Sequence, residues 1–420
     1  MKFSKICVIG LGYIGLPTAT VFAQHGVNVL GVDVNKHAVE TINQGKIHII
    51  EPDLEQAVAQ TVAQGTLKAT MTPETAEAFL VCVPTPFKGE YEPDLSYIQA
   101  ACQSIAPVLQ KGNLVVLEST SPVETTEQMA KWLAEYRPDL SFPQQKGEDS
   151  DIRVAHCPER VLPGQVMREL IENDRIIGGL TNKCSQAAAD LYRTFVKGEC
   201  VITNARTAEM SKLTENSFRD VNIAFANELS IICDKLNIDV WELIALANRH
   251  PRVNILQPGY GVGGHCIAVD PWFIVHKTPD LAKIIHTARL VNDHKPQWVI
   301  NKVNEAIIAA SQKTGKGVAD IKIACLGLSF KADIDDLRES PALKITAQLA
   351  DKYPNQVWAV EPNVTALPQK LIDKNIELVA LDIALQQADV LVLLVEHKEF
   401  KSASIANSNA VVVDTKGIFI

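Results

Sequence analysis

The chain of 420 residues has no CxxC pair, and its nine cysteines, an odd number, are scattered without ligand-like histidine spacing. That pattern excludes a disulfide framework and a zinc site, gives no reason to expect any metal, and fits a reducing, cytoplasmic compartment. A basic excess is missing too. The net charge of -9 and the pI near 5.6 leave nothing with which to neutralise a nucleic-acid backbone or an anionic membrane, so neither is an expected partner. Any anionic ligand must therefore meet a local cluster of donors. No apolar run approaches the roughly 20 residues of a spanning helix; the most apolar stretch, residues 388–395, is short and flanked by charge and reads as a buried strand. The N-terminal apolar run leads into a glycine motif and not a cleavage site, so no export signal is expected. Low-complexity tracts and short tandem repeats are lacking. With hydrophobic residues at 47% and charged ones at 21%, an ordinary folded protein remains, which its length divides into two or three domains.

Short apolar runs alternate with longer amphipathic ones from Lys5 to about Cys200, a βαβα pattern that implies a parallel sheet. Strands are expected over residues 6–9, 29–32, 79–83, 114–117 and 154–156. The strand signal then stops. TAEMSKLTENSFRDVNIAFANELSIICDKL contains no glycine or proline and reads as one long spine helix. SQKTGKGVAD reads as a linker, after which KIACLGL, QVWAVEP, IELVAL and ADVLVLLVE resume the α/β alternation. The fold expected is α/β: an N-terminal Rossmann domain over residues 1–203, a central helical domain over 204–315 that dimerises, and a C-terminal Rossmann-like domain over 316–420.

Gly10-Leu-Gly12-Tyr13-Ile14-Gly15 follows the strand KICVI and opens a helical pattern. Such spacing demands Gly10 for a tight turn, Gly12 for close approach of the backbone to a pyrophosphate, and Gly15 for packing of helix on strand, with the helix N-terminus facing the phosphates. NVLGVD, the second strand, ends in Asp33, a carboxylate placed to accept from the adenosine ribose hydroxyls. Asp33 repels a 2′-phosphate and no arginine follows it, so NAD is expected over NADP. VCVPTP and VLESTSP bring Thr85 and Thr120 to neighbouring strand ends, where small hydroxyls can bond a ribose or a substrate; an ordinary turn is the plainer reading of each.

Four further segments carry candidate chemistry. HCPERVLPG places Glu159 just past a strand end, as a general base or an orienter of water. Lys212, Asn216 and Asp220 recur at i, i+4 and i+8 and share one helix face, either functional or simply solvated. GYGVGGHCIAVDP surrounds Cys266 with glycines that expose the thiol and let the backbone pass close to a ligand, and Asp270 lies one turn beyond. A cysteine in such a setting becomes a strong nucleophile where a cation or helix N-terminus lowers its pKa. GLSFKADIDDLRESP lacks the three-glycine spacing, so no second dinucleotide is expected, but Lys331, Arg338 and the helix that follows can hold a diphosphate.

In this order, over essentially the whole chain, these segments resemble the nucleotide-sugar 6-dehydrogenase family. The resemblance implies two successive oxidations by two NAD+, converting a UDP-sugar C6 alcohol to a carboxylate through a cysteine thioester. It makes Cys266 the nucleophile and gives Lys212 and Asn216 the C6 oxyanion, with Lys212 also the first base. Asp270, Glu159 and Thr120 position or activate the hydrolytic water. Substrate contacts are implied for Glu159, Arg160, Val161, Lys212, Asn216, Arg219, Asn254, Gly263, His265, Lys331 and Arg338, and for Arg252, which the family often supplies from the neighbouring subunit of a homodimer. Val269 before Asp270, where UDP-glucose enzymes usually carry lysine, points to the N-acetylhexosamine branch. RHPRVNILQPG and GHCIAVDPWF resemble most the members of that branch acting on UDP-N-acetyl-D-mannosamine, and the resemblance implies a product for surface polysaccharide or enterobacterial common antigen. UDP-N-acetylglucosamine and UDP-glucose stay open as substrates. A two-electron β-hydroxyacid dehydrogenase is one rival, against which Cys266 and the third α/β domain count; an NAD-sensing scaffold is another, against which the intact constellation of candidate residues counts.

Overall fold

The computed structural model describes residues 3–162, 164–264, 266–403 and 409–419. The chain gathers into two compact units, Met1–Glu215 with His276–Thr278, and Asn216–Val275 with Pro279–Ile420.

The first unit is built on an eight-stranded sheet, in the spatial order Cys200–Asn204, Arg175–Gly179, Arg153–His156, Leu114–Leu117, Ala78–Val81, Lys5–Ile9, Asn28–Val32 and Leu67–Thr70. A sheet covered on both faces needs apolar side chains pointing both ways. Ile6 and Val8 accordingly enter one core with Phe22, Leu80 and Val116, while Cys7 and Ile9 enter the other with Phe79, Val81 and Met129. All five expected strands form, within two residues of their expected limits. The wholly parallel sheet does not: Arg175–Gly179 runs antiparallel to Arg153–His156, and Cys200–Asn204 follows it. The seven-residue helix Val166–Glu172 in the connection rises only about 10 Å, so the chain re-enters the sheet at the edge where it left.

The last residues of neighbouring strands pair laterally: Val32 with Ile9, Ile9 with Val81, Val81 with Leu117, and Leu117 with His156. Five strands therefore end on one line, about 19 Å long at ordinary strand spacing. Strand order reverses between Lys5–Ile9 and Ala78–Val81, where open α/β sheets place their ligand crevice.

The second unit holds an all-parallel sheet in the order Glu377–Leu378, Val357–Val360, Ile323–Leu326, Val390–Leu393 and Val411–Asp414. Val390–Leu393 is the buried strand expected within residues 388–395. The spine helix runs over Ala205–Leu236, beginning in the first unit and ending in the second. Helix Lys283–Thr314 adds Val299, Val303, Ile307 and Ala310 to the core beneath the second sheet. It stays helical through the first residues of the expected linker and stops at Gly315, whose φ of +73° suits a C-terminal cap. Its contact with the spine helix is polar: Arg289 Nη1 donates to Asp220 at 2.6 Å, and Asn292 Nδ2 to Asp220 at 2.8 Å. Asp220 is thereby committed to a buried ion pair, and only Lys212 and Asn216 remain as reactive candidates on their helix face. No helix among the described residues is long and apolar enough to cross a membrane.

Candidate active site

Each glycine of the first loop meets a different demand. Gly10 has φ +91°, and a Cβ there would lie 2.7 Å from the Cys82 carbonyl oxygen; at Gly15 it would lie 1.8 Å from the Gly10 oxygen. A Cβ on Gly12 would meet nothing within 4 Å, so the protein's own packing leaves this position open to an approaching group. Asp33 accepts the Leu11 N–H at 2.8 Å and the Asn35 N–H at 2.8 Å, which ties the loop to the second strand end. Its oxygens retain lone pairs for ribose hydroxyls, and its charge opposes a 2′-phosphate. Tyr13 and Ile14 lie at the start of helix Gly15–Gln24, Tyr13 exposed. Thr85 donates its hydroxyl to the Thr120 carbonyl at 2.5 Å, joining two strand-end loops on the same line. These residues fit NAD.

Past the next strand end along that line, at His156, comes Glu159, nine-tenths buried. Burial pushes its carboxyl up to about 7, and the charges of Lys212 and Arg175 offset part of that rise. A carboxyl poised there can hold or release a proton near neutrality. The Val161 N–H donates to Glu159, Arg160 pairs with Glu215 at 2.7 Å, and Glu51 accepts the N–H groups of Gly164 and Val166 at 3.0 and 2.9 Å, which holds the loop. Lys212 is buried on the spine helix.

In the second unit, Asn216 Nδ2 donates to Asp270 Oδ2 at 2.5 Å, and the Asp270 N–H donates to the Cys266 carbonyl at 2.9 Å. Asp270 is buried at the first position of helix Asp270–Lys277. Of the nine cysteines, none in a disulfide, only Cys266 is exposed. Burial raises Cys7, Cys102, Cys157 and Cys325 to about 12, out of the range of a thiolate near neutrality. Glycines before Cys266 prove to be required by the protein itself: a Cβ at Gly263 would lie 2.5 Å from Pro341 Cδ and 2.6 Å from the Glu339 oxygen. Arg219, Arg252 and Asn254 are exposed, and His265 lies outside the described residues.

At the carboxyl edge of the second sheet, Gly327 repeats the Gly10 turn with φ +90°, its N–H donating to the Val360 carbonyl at 2.8 Å as Gly10 N–H does to Val32. Glu361 takes the place of Asp33 and accepts the Leu328 N–H at 2.7 Å. It is closed off by buried His397 at 3.1 Å, so this carboxylate does not present a ribose acceptor. Lys331 is exposed, and Arg338 is held by Asp336 at 2.9 and 2.6 Å. Helix Pro341–Lys352 follows, capped by Ser340.

Three domains of one family match along the chain: the NAD binding domain of the UDP-glucose/GDP-mannose dehydrogenase family over residues 4–196, its central domain over 206–294, and its UDP binding domain over 324–420. The chain belongs to the UDP-glucose/GDP-mannose dehydrogenase family. It is 66% identical to a UDP-N-acetyl-D-mannosamine dehydrogenase of Campylobacter jejuni, over 95% of this chain and 97% of that one. A Yersinia pestis protein of the same name is 62% identical over the full length of both. An NDP-N-acetyl-D-galactosaminuronic acid dehydrogenase of Ralstonia nicotianae is 60% identical, over 100% of this chain and 97% of its own. Among solved structures, a UDP-D-ManNAc dehydrogenase from Pyrococcus horikoshii superposes with a TM-score of 0.87 at 39% identity, covering 99% of this chain and 96% of that one.

As a member of the UDP-glucose/GDP-mannose dehydrogenase family, the protein is an NAD-dependent oxidoreductase acting on the CH–OH group of a UDP-sugar. Sequence patterns missed several supports of its site. Glu118, at a strand end aimed along the same line, turns inward to accept from Tyr192 Oη at 2.5 Å and Cys82 Sγ at 3.1 Å. Arg175 is buried 5.4 Å from the Tyr192 ring and acts on Glu159 by its charge. Glu51 and Asn227 hold backbone far away in the chain, and no local signal announces them.

Proposed function

We propose that the protein oxidises UDP-N-acetyl-D-mannosamine at C6 to UDP-N-acetyl-D-mannosaminuronate, releasing no aldehyde because Cys266 anchors the substrate between two oxidations. The observation that carries this reading is Cys266 itself, the one exposed thiol, on a loop bonded to Asp270 and through it to Asn216. NAD, when bound, takes up the electron pair of each oxidation. Lys212 accepts the C6 hydroxyl proton, and Lys212 and Asn216 stabilise the oxyanion as it develops. The Cys266 sulfur adds to the aldehyde carbon to give a thiohemiacetal, whose oxidation leaves a thioester. Glu159, with Thr120 and Asp270, activates a water that displaces the sulfur, yielding the carboxylate and restoring the thiol.

In this reading residues 1–203 bind NAD, 204–315 dimerise and 316–420 hold the UDP moiety, with Lys331 and Arg338 on its diphosphate. Phe218, Phe225 and Ile232, exposed by 71%, 51% and 44% and spaced seven apart on the spine helix, make an apolar seam suited to a second copy. Exposed Arg252 then serves the partner's substrate. The product feeds surface polysaccharide such as enterobacterial common antigen in the cytoplasm; a deletion strain with those polymers intact would remove that assignment. The deciding measurement is NADH formed per sugar consumed, with UDP-N-acetylmannosamine beside UDP-N-acetylglucosamine, UDP-N-acetylgalactosamine and UDP-glucose. A ratio near two with the manno epimer preferred is expected. A ratio near one would sink the four-electron reaction, and preference for another sugar would reassign the substrate.

A further inference from the structure

The loop that leads to Cys266 and the segment Gly327–Pro341, far apart in sequence, interlock within the second unit. Tyr260 is buried, and its hydroxyl lies 3.2 Å from the Ser329 carbonyl oxygen and 3.1 Å from that of Phe330, donating to this pair of acceptors. Next to it, a Cβ at Gly261 would lie 3.1 Å from Pro296 and 3.2 Å from Pro341, and one at Gly263 would lie 3.3 Å from Phe330 Cβ as well as in collision with Pro341 and Glu339. The Phe330 ring stands 3.4 Å from the Cβ position of Gly264. At its start the loop is tied to the spine helix, Gly259 N–H donating to Asn227 Oδ1 at 2.9 Å. On its far side the other segment is pinned by Glu361, which accepts from Leu328, and by His397, which accepts the Asp333 N–H at 2.9 Å.

Close-packed surfaces of this kind do not slide past one another independently. A shift of residues 328–341 by a few tenths of an ångström must be taken up by residues 260–264, because no side chain on the glycines is available to yield. Pro341 is also the first residue of helix Pro341–Lys352, whose N-terminus is part of the segment read above as the diphosphate contact. One residue thus touches both the nucleotide segment and the cysteine loop.

We propose that Tyr260 is a positioning residue that couples occupancy of the nucleotide segment to the placement of the Cys266 loop, so that the UDP moiety alone alters access to the thiol before any chemistry at the sugar. The inference rests on reading residues 327–341 as the UDP contact. Tyr260→Phe keeps the ring and its packing and removes only the donor that reaches the two carbonyls.

The test uses the full-length protein, UDP as the only ligand, and iodoacetamide, with modification of the Cys266 peptide followed by mass spectrometry and UDP affinity by calorimetry. In the unmodified sequence saturating UDP is expected to slow Cys266 alkylation about fivefold, at the low end of coupling between two sites. In Tyr260→Phe the effect should fall below about twofold while UDP affinity stays within about threefold. Phe330→Leu, read in the same way, should also weaken the effect. Full retention of the UDP effect in Tyr260→Phe overturns the proposal, since direct shielding by the nucleotide would then account for it. UDP binding without any change in alkylation also overturns the coupling and leaves the nucleotide reading intact. Failure of UDP to bind at all overturns the nucleotide reading and the coupling with it.

Discussion

Glu159→Gln isolates the cost of holding a carboxyl out of water in this site. Burial raises Glu159 from 4.5 to about 7, and the positive charges of Lys212 and Arg175 are already included in that value. Below pH 4.5 the group is protonated in folded and unfolded chains alike. Between about 4.5 and 7 the unfolded chain has released the proton that the folded chain keeps, so stability falls as pH rises. Above 7 both are ionised and the whole penalty stands, an interval of about 2.5 pH units or roughly 3 kcal/mol. Glutamine is neutral throughout and retains the carbonyl oxygen that accepts the Val161 N–H. The variant should therefore stay within about 1 kcal/mol of the parent near pH 5 and exceed it by roughly 3 kcal/mol at pH 8. For a unit of this size that is a gap in Tm of about 6–12 °C at the higher pH. Calorimetric melts of both proteins at the two pH values, with no ligand, measure it. A gap that does not widen from pH 5 to pH 8 would show that Glu159 is ionised at little cost, and the account of its poise would be wrong. The same variant should lose turnover, and the parent's turnover should rise as pH passes through about 7, because only the ionised carboxyl accepts a proton from water.

Much of the first sheet was legible because a parallel strand buried on both faces is written as an unbroken apolar run, as in AFLV and LVVL. Leu67–Thr70 escaped because LKAT is short and carries an exposed lysine at the sheet edge. The reversed strand Arg175–Gly179 escaped for another reason: strand direction depends on where a connection ends in space, which periodicity does not encode. At the candidate site, Gly10, Asp33, Cys266 and Asp270 could be proposed from sequence because each proposed chemistry needs its residue type at a fixed distance along the chain. Arg175, Glu118 and Tyr192 were not, since they meet by folding and each alone has the look of an ordinary strand or helix residue. Asp220 shows the opposite error of local reading: helical spacing put it beside Lys212 and Asn216, but Arg289, 69 positions away, claims it.

Cys266→Ser should yield at most one NADH per sugar and accumulate no uronate, checked by stoichiometry against the parent; full four-electron turnover would refute the thioester. Asp33→Ala removes the carboxylate proposed to accept from the ribose as well as the anchor of Leu11, so the KM for NAD should rise about tenfold or more with kcat little changed. Phe225→Glu places a charge in the apolar stripe proposed as the dimer seam, so by light scattering the parent should run as a dimer and the variant as a monomer; an equal mass for the two would move the interface elsewhere. Asp220→Ala leaves buried Arg289 short of one partner and should cost about 3 kcal/mol, read as a lower Tm of the second unit. The sharpest contrast lies within the first loop. Gly15→Ala would drive a methyl to 1.8 Å from the Gly10 carbonyl and should leave little folded protein, whereas Gly12→Ala meets no protein atom within 4 Å and should keep the parent's Tm. If Gly12 is glycine because a pyrophosphate passes there, that well-folded variant should bind NAD at least about tenfold more weakly, since its methyl occupies the contact distance of the phosphate. Undiminished NAD affinity in Gly12→Ala would place the pyrophosphate elsewhere, although the strand-to-helix turn would remain as described.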